Sequence, residues 1–198
     1  MLVINRIYKF SFFFLLAIVV LDNECYSQKT SYAGINFTVE NSSGNFRPGI
    51  GGVFEMQLSK HSGFETGVYY RNYIQSFYLT VTGPATSNTY FYTVSERHIS
   101  IPFQYKFYSR ILNLSIGPSF DFYLGWKQKN KTSLIVVNEY SIDPNFFIGA
   151  IAKVSKRINL NSRFLLEPEL RFNPIFTSER SYVGFGIAGK YKIGRKFH

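Results

Sequence analysis

The sequence predicts an all-β protein: an eight-stranded antiparallel up-and-down transmembrane β-barrel, preceded by a cleaved signal peptide. Three observations lead there. Apolar and polar residues alternate with a period of two through most of the chain after residue 31, which is the signature of strands with two unlike faces. The alternating stretches run to about 10–14 residues, beyond the globular mode of about 5–6 and long enough for a tilted strand to cross hydrocarbon. The strand carboxylates all fall on the face opposite the large apolar side chains.

The first segment bears on the compartment. Arg6 and Lys9 precede a 12-residue apolar run, Phe10 to Leu21, and a polar stretch from Asp22 to Ser27 follows. A spanning helix needs about 20 apolar residues, so this run reads as a signal peptide, with residues 1–27 removed before Gln28. Asp22-Asn23-Glu24 ahead of Cys25 does not have the small and apolar residues of a lipoprotein site. The remainder, 28–198, contains no cysteine and must find its stability in a large core or a closed barrel rather than in disulfides. The net charge of +10 and 19% aromatic content would also suit single-stranded nucleic acid. Export argues against that partner, as do bases spread along the chain.

The elements follow in order. Tyr32–Glu40 turns Ala33, Ile35, Phe37 and Val39 to one side, and a polar turn at residues 41–45 leads into Arg47–Leu58. There Ile50, Phe54 and Met56 oppose Gly51, Val53 and Glu55. Gly63–Thr80 is the longest extended stretch, with Glu65, Gly67, Tyr69, Arg71 and Tyr73 on the polar face; Gly83–Tyr92 reads as a loop. A hairpin over Ser95–Gly125 turns at Tyr108-Ser109-Arg110 and is the clearest element. Ile99, Ile101, Phe103, Tyr105 and Phe107 then Leu112, Leu114, Ile116, Phe120, Phe122 and Leu124 share its greasy face. Trp126–Glu139 begins a basic loop. Tyr140–Val154, Leu160–Asn173 and Ser181–Ile193 complete eight strands, with connections alternately long and short, as when successive hairpins end on opposite sides of a membrane.

The choice between a soluble and a membrane barrel is a choice of which face points out. Glu55, Glu65, Glu96, Asp121, Glu167 and Glu169 lie on the small, polar face, and Arg97 is the clear charge on the greasy one. A lipocalin-like barrel would have to pack the greasy rows of Phe, Tyr, Ile and Leu inside, where eight strands leave room for little more than side chains. The membrane arrangement fits better. Pro102, Pro118 and Pro168, inside strands of a sheet with no edge, predict bulges or local breaks in the ladder.

Glu96–Phe107 (ERHISIPFQYKF), then IGPSFDFYLG, then the closing GFGIAGKYKI, resembles the outer-membrane β-barrel domain family that includes PorT-like proteins. The resemblance implies an eight-stranded barrel in the outer membrane of a diderm bacterium, with both termini in the periplasm. Implied partners are membrane lipids and lipopolysaccharide, the barrel assembly machinery during insertion, and envelope proteins. It implies no cofactor.

Candidate chemistry is sparse. Glu96, His98 and Ser100 share a face and make the minimum set for acyl hydrolysis, which would act on lipid A; the competing reading is that they are interior polar residues paired with Arg71, Lys106 or Arg171. His61, His98 and His198 are too scattered to suggest a metal site. Gly49-Ile50-Gly51-Gly52 opens a strand and so is no phosphate cradle. Trp126, with Tyr69, Tyr70, Tyr73, Tyr90 and Tyr92, reads as an interfacial aromatic girdle. Lys60, Arg110, Lys156, Arg157, Arg195 and Lys196 gather at the short-turn end, where anionic phospholipids are a natural partner, and Lys127, Lys129 and Lys131 lie in a long loop at the other end. The reading these features support is a non-enzymatic barrel with a packed polar interior and a structural or partner-binding role. An accessory of secretion or envelope assembly, a hydrolase using Ser100 and His98, and a soluble binding barrel are the alternatives.

Overall fold

A computed structural model describes residues 30–42, 44–82, 87–129, 145–178 and 180–193. The signal-peptide segment, most of the Trp126–Glu139 loop with Lys131, and the C-terminal Arg195, Lys196 and His198 lie outside the described residues.

Among the described residues nine strands form one antiparallel sheet: β1 (Thr30–Ser42), β2 (Asn45–Gln57), β3 (Ser62–Thr82), β4 (Ser87–Phe107), β5 (Asn113–Gln128), β6 (Phe146–Ser155), β7 (Ile158–Asn159), β8 (Phe164–Ile175) and β9 (Arg180–Lys192). The two-residue β7 only lengthens the hairpin into β8, by pairing with Leu165 and Leu166. The eight long strands run up and down in sequence order. The sheet closes into a ring because β1 pairs with β9 and β6 pairs directly with β8, past the short β7. Closure removes every sheet edge within the ring, the condition for exposing strands to lipid.

The faces are as the alternation predicts. Phe37 is 61% exposed, Phe103 52%, Ile116 64% and Leu170 65%, while Glu65 is 1% and Glu167 0% exposed. Oily side chains thus cover the outside and carboxylates fill the centre. Phe120, half-buried, packs between Phe103 and Phe146 on that outer surface.

The prolines behave in two ways. The β3–β4 ladder skips from Thr66↔Phe103 to Tyr69↔Ser100, and Thr66 Oγ1 donates to the Pro102 carbonyl at 2.8 Å. The β4–β5 ladder likewise skips from Pro102↔Ser119 to Tyr105↔Ile116, across Pro118. Both prolines sit where rungs are missing. Pro168 instead keeps its rung with Ile187 and lies just past the end of the β6–β8 ladder, so no N–H is called for there. The register shift between β4 and β5 is elsewhere, between Arg97 and His98, and leaves Leu124 as the extra residue. Gly125, at φ +140°, takes the left-handed backbone this requires, and the Arg97 guanidinium lies over it.

That shift corrects the girdle. Beyond it Trp126 pairs with the fully buried Glu96 and so turns to the inward face. Tyr69 and Tyr73 are buried inside as well. Outward aromatics near the short turns include Phe64 with Tyr105 and Phe164 with Tyr191, in two cross-strand pairs, and Phe107 stacked on His61.

The expected Gly83–Tyr92 loop is mostly strand. β3 and β4 continue as a two-stranded ribbon past the last rung with β2 (Ile50↔Tyr70) and the last with β5 (Val94↔Gln128). Alternating Thr, Tyr and Phe favour extended backbone over a loop. From Gln75↔Val94 to Thr82↔Ser87 the ribbon rises about 24 Å at ~3.4 Å per residue.

Candidate functional site

Eight strands enclose a space only wide enough for side chains. This chain fills it with charge. Strand parity turns Glu55 of β2, Glu65 of β3, Lys106 of β4, Lys153 of β6, Glu167 and Glu169 of β8 and Lys190 of β9 to the axis at the short-turn half of the ring. Lys190 Nζ donates to Glu55 at 2.6 Å, Glu65 at 2.7 Å and Glu167 at 2.5 Å. Lys106 Nζ donates to the same three, at 2.9, 2.9 and 2.5 Å. Lys153 bonds Glu65, and Glu169 at 2.9 Å.

Farther along the axis Arg171 spans Glu169 (2.6 Å) and Glu40 (3.1 Å), and Arg71 pairs with Glu40 at 3.2 Å and faces Asp121. Among the described residues the lumen holds seven carboxylates (Glu40, Glu55, Glu65, Glu96, Asp121, Glu167, Glu169) and seven cations ion-paired with them (Arg71, Lys106, Lys153, Arg157, Arg171, Arg180, Lys190), while half-buried Arg47 turns to the same face across from Glu40. The interior is therefore close to neutral, and nearly every buried carboxylate is hydrogen-bonded to a cation that makes its desolvation tolerable, Asp121 facing Arg71 at 3.6 Å without a hydrogen bond.

Each end of this column carries an arginine held against aromatic rings. Arg157, after β6, bonds Glu55 and Gln57 and lies over the rings of Tyr108 (4.3 Å) and Tyr32 (5.0 Å). Tyr108 adds its own hydroxyl to Glu55 at 2.7 Å, and burial pushes its pKa up, which keeps that donor proton in place. At the opposite end Arg180 grips Glu96 with two bonds, 2.6 and 3.2 Å, and covers Tyr73 at 4.2 Å. Beneath it Tyr73, Phe147, Ile175 and Tyr182 form an apolar cluster across the lumen. Ion pairs, rings and these two arginines leave a filled barrel.

The candidate hydrolytic residues are inside this packing. Glu96, His98 and Ser100 are all at most 2% exposed and face the axis, not lipid. His98 Nε2 lies 3.1 Å from Glu96 Oε2, but Ser100 Oγ makes no hydrogen bond to either. In this arrangement His98 is not placed to take a proton from Ser100. Glu55, Glu65 and Glu167 place one oxygen each within 4.8 Å of one another, the donor set of a hard cation. The ammonium groups of Lys106 and Lys190 stand at its centre instead.

Sequence reasoning identified six of the lumenal carboxylates and missed Glu40 and Arg180. Glu40 shares parity with Asn36 and Thr38, both buried, so the alternation could have found it. Arg180 sits in what reads as a loop, and only β9 starting at residue 180 turns it inward. Arg157 is withdrawn from the basic rim into the lumen.

The second feature is the ribbon. Residues 72–95 contain no charged side chain. Phe77 stacks on Tyr92 (5.1 Å) and Tyr78 packs on Phe91 (5.2 Å), with Tyr78 74% exposed. Ser76–Thr93 and Thr80–Thr89 pair their hydroxyls across the strands.

A closed antiparallel ring with an apolar outside and a neutralised ionic inside is a transmembrane β-barrel. No family model matches the sequence, and no curated protein matches it. Solved structures similar to the chain include the Yersinia pestis outer membrane protein Ail in a phospholipid bilayer nanodisc, at 12% identity over 84% of this chain and 100% of that one (TM-score 0.46). Neisserial surface protein A is similar at 11% identity over 83% and 97% (TM-score 0.43), and the N-terminal β-barrel domain of Pseudomonas aeruginosa OprF at 10% over 82% and 99% (TM-score 0.41). The assignment to transmembrane barrels rests on this chain's own ring closure and face pattern.

Proposed function

We propose that this is a small outer-membrane barrel, residues 28–198, exported by a signal peptide at residues 1–27, that works by presenting the β3–β4 ribbon to a partner outside the membrane. The observation that carries the reading is the filled lumen. Among the described residues seven carboxylates and the seven cations ion-paired with them fill it, and these offer neither a conduction path nor a substrate pocket there. The long uncharged ribbon is then the feature not explained by spanning the bilayer. Its exposed Tyr78 and Phe91 are side chains of the kind enriched at interface anchors.

Kinship with PorT-like barrels is the finer proposal. It is supported by the adjoining β4 and β5 strands that carry IPFQYKF and IGPSFDFYLG, and it brings an accessory role in secretion or envelope assembly as the second reading.

Fractionation with gel migration tests the location. The full chain is expected in the outer-membrane fraction, migrating differently with and without boiling; a soluble product with unchanged migration refutes it. Crosslinking from Tyr78→Cys on intact cells tests the role. A discrete adduct that disappears in Tyr78→Cys/Phe91→Ser is expected, and an adduct of unchanged yield in that variant would show that the ribbon's aromatic face is not the contact.

A further inference from the structure

All seven described carboxylates lie in the lumen. The surface charge described is therefore wholly basic, and five of its members gather at the short-turn end: Lys60, Arg110, Lys156 and Arg163, all exposed, and Lys192, half-buried at the mouth of the ring. None of them has an ion pair among the described residues; the Arg163 guanidinium donates to the Tyr191 hydroxyl at 3.3 Å. Large apolar side chains alternate with them around the same rim, with Ile111 72%, Leu160 63% and Ile193 52% exposed. A water-facing rim would not leave such side chains bare, and a rim buried in hydrocarbon would not carry unpaired cations. Cations above apolar side chains suit the headgroup boundary of a bilayer.

We propose that this rim is a binding surface for anionic phospholipid headgroups of the leaflet it meets, selective for them over zwitterionic ones. It rests on the membrane reading above. Arg157, spent on Glu55, does not contribute. Each rim cation offers N–H donors to a headgroup phosphate, and the neutral lumen neither adds to nor cancels the attraction.

The test uses the full chain in phosphatidylcholine bilayers containing a trace of spin-labelled phosphatidylglycerol or spin-labelled phosphatidylcholine. The motionally restricted fraction is read by electron paramagnetic resonance. Phosphatidylglycerol is expected to be enriched at the protein about fivefold, the order of one headgroup pairing with roughly one cation. The enrichment should fall to about onefold in Lys60→Gln/Arg110→Gln/Lys156→Gln/Arg163→Gln/Lys192→Gln and persist in Lys127→Gln/Lys129→Gln at the opposite end. If the five-site variant does not fold, Lys60→Gln/Arg110→Gln/Lys156→Gln should give an intermediate value. Equal restriction of the two labels by the unaltered chain overturns the proposal, and so does full enrichment in the rim variants. Inorganic phosphate at matched ionic strength should leave the enrichment intact; displacement by it would show a site for free phosphate instead. Heat-modifiable migration of every variant is scored first, so a failure of the barrel itself is seen separately.

Discussion

Lys190 on β9 and Glu55 on β2 meet 2.6 Å apart across the strand that separates them, with both side chains at most 1% exposed. No rung of the sheet links those two residues. Their contact exists because the ring curves both strands toward one axis, and it ties stability to a charge balance rather than to apolar packing.

Lys190→Met removes one of two ammonium groups shared by Glu55, Glu65 and Glu167. It should cost roughly 3–5 kcal/mol, because it leaves buried carboxylates undercompensated. Urea unfolding in lipid measures this. Lys190→Met/Glu167→Gln should recover a substantial part, since the double change restores neutrality.

Reversing polarity on the outside should be as harmful. Phe37, near the middle of β1 and 61% exposed, faces the bilayer. Phe37→Arg is expected to destabilise the inserted barrel by about 2–4 kcal/mol. The same unfolding measurement with Lys127→Ala, beyond the membrane band, should show little change.

Two glycines make a matched pair. A Cβ at Gly117 would fall on the carbonyl oxygen of Phe103 in the adjacent strand, whereas at Gly52, on the outer surface, it meets nothing within 4 Å. Gly117→Ala should therefore cost about 1–3 kcal/mol by forcing β4 and β5 apart. Gly52→Ala should be close to neutral.

His98→Ala provides the check on hydrolysis. Lipid A mass spectra from cells carrying the altered chain should match those from cells carrying the unaltered one, because His98 is bonded to Glu96 inside the barrel. Loss of a deacylated species would overturn this expectation.

The filled lumen makes a transport prediction as well. Liposomes containing the barrel should not swell in small sugars, and Arg180→Gln alone should leave them closed, since Tyr73, Phe147, Ile175 and Tyr182 still span the lumen beneath it. Swelling with the unaltered chain would show that the ion-pair column opens.

Residue alternation alone determined that the strands exist, that Phe103 and Leu170 point away from Glu65 and Glu167, and that the outside is apolar. Parity is a local property: each side chain's face follows from its neighbours two residues away. Tertiary structure decided the rest. Which lysine meets which glutamate depends on strands far apart in sequence, as Lys190 and Glu55 are, so no spacing encodes it. A single extra residue at Leu124 moved Trp126 from the outer face to the lumen. Arg157 and Arg180, read as turn and loop cations, became the two ends of the buried charge column because only the closed ring places Glu55 and Glu96 within their reach.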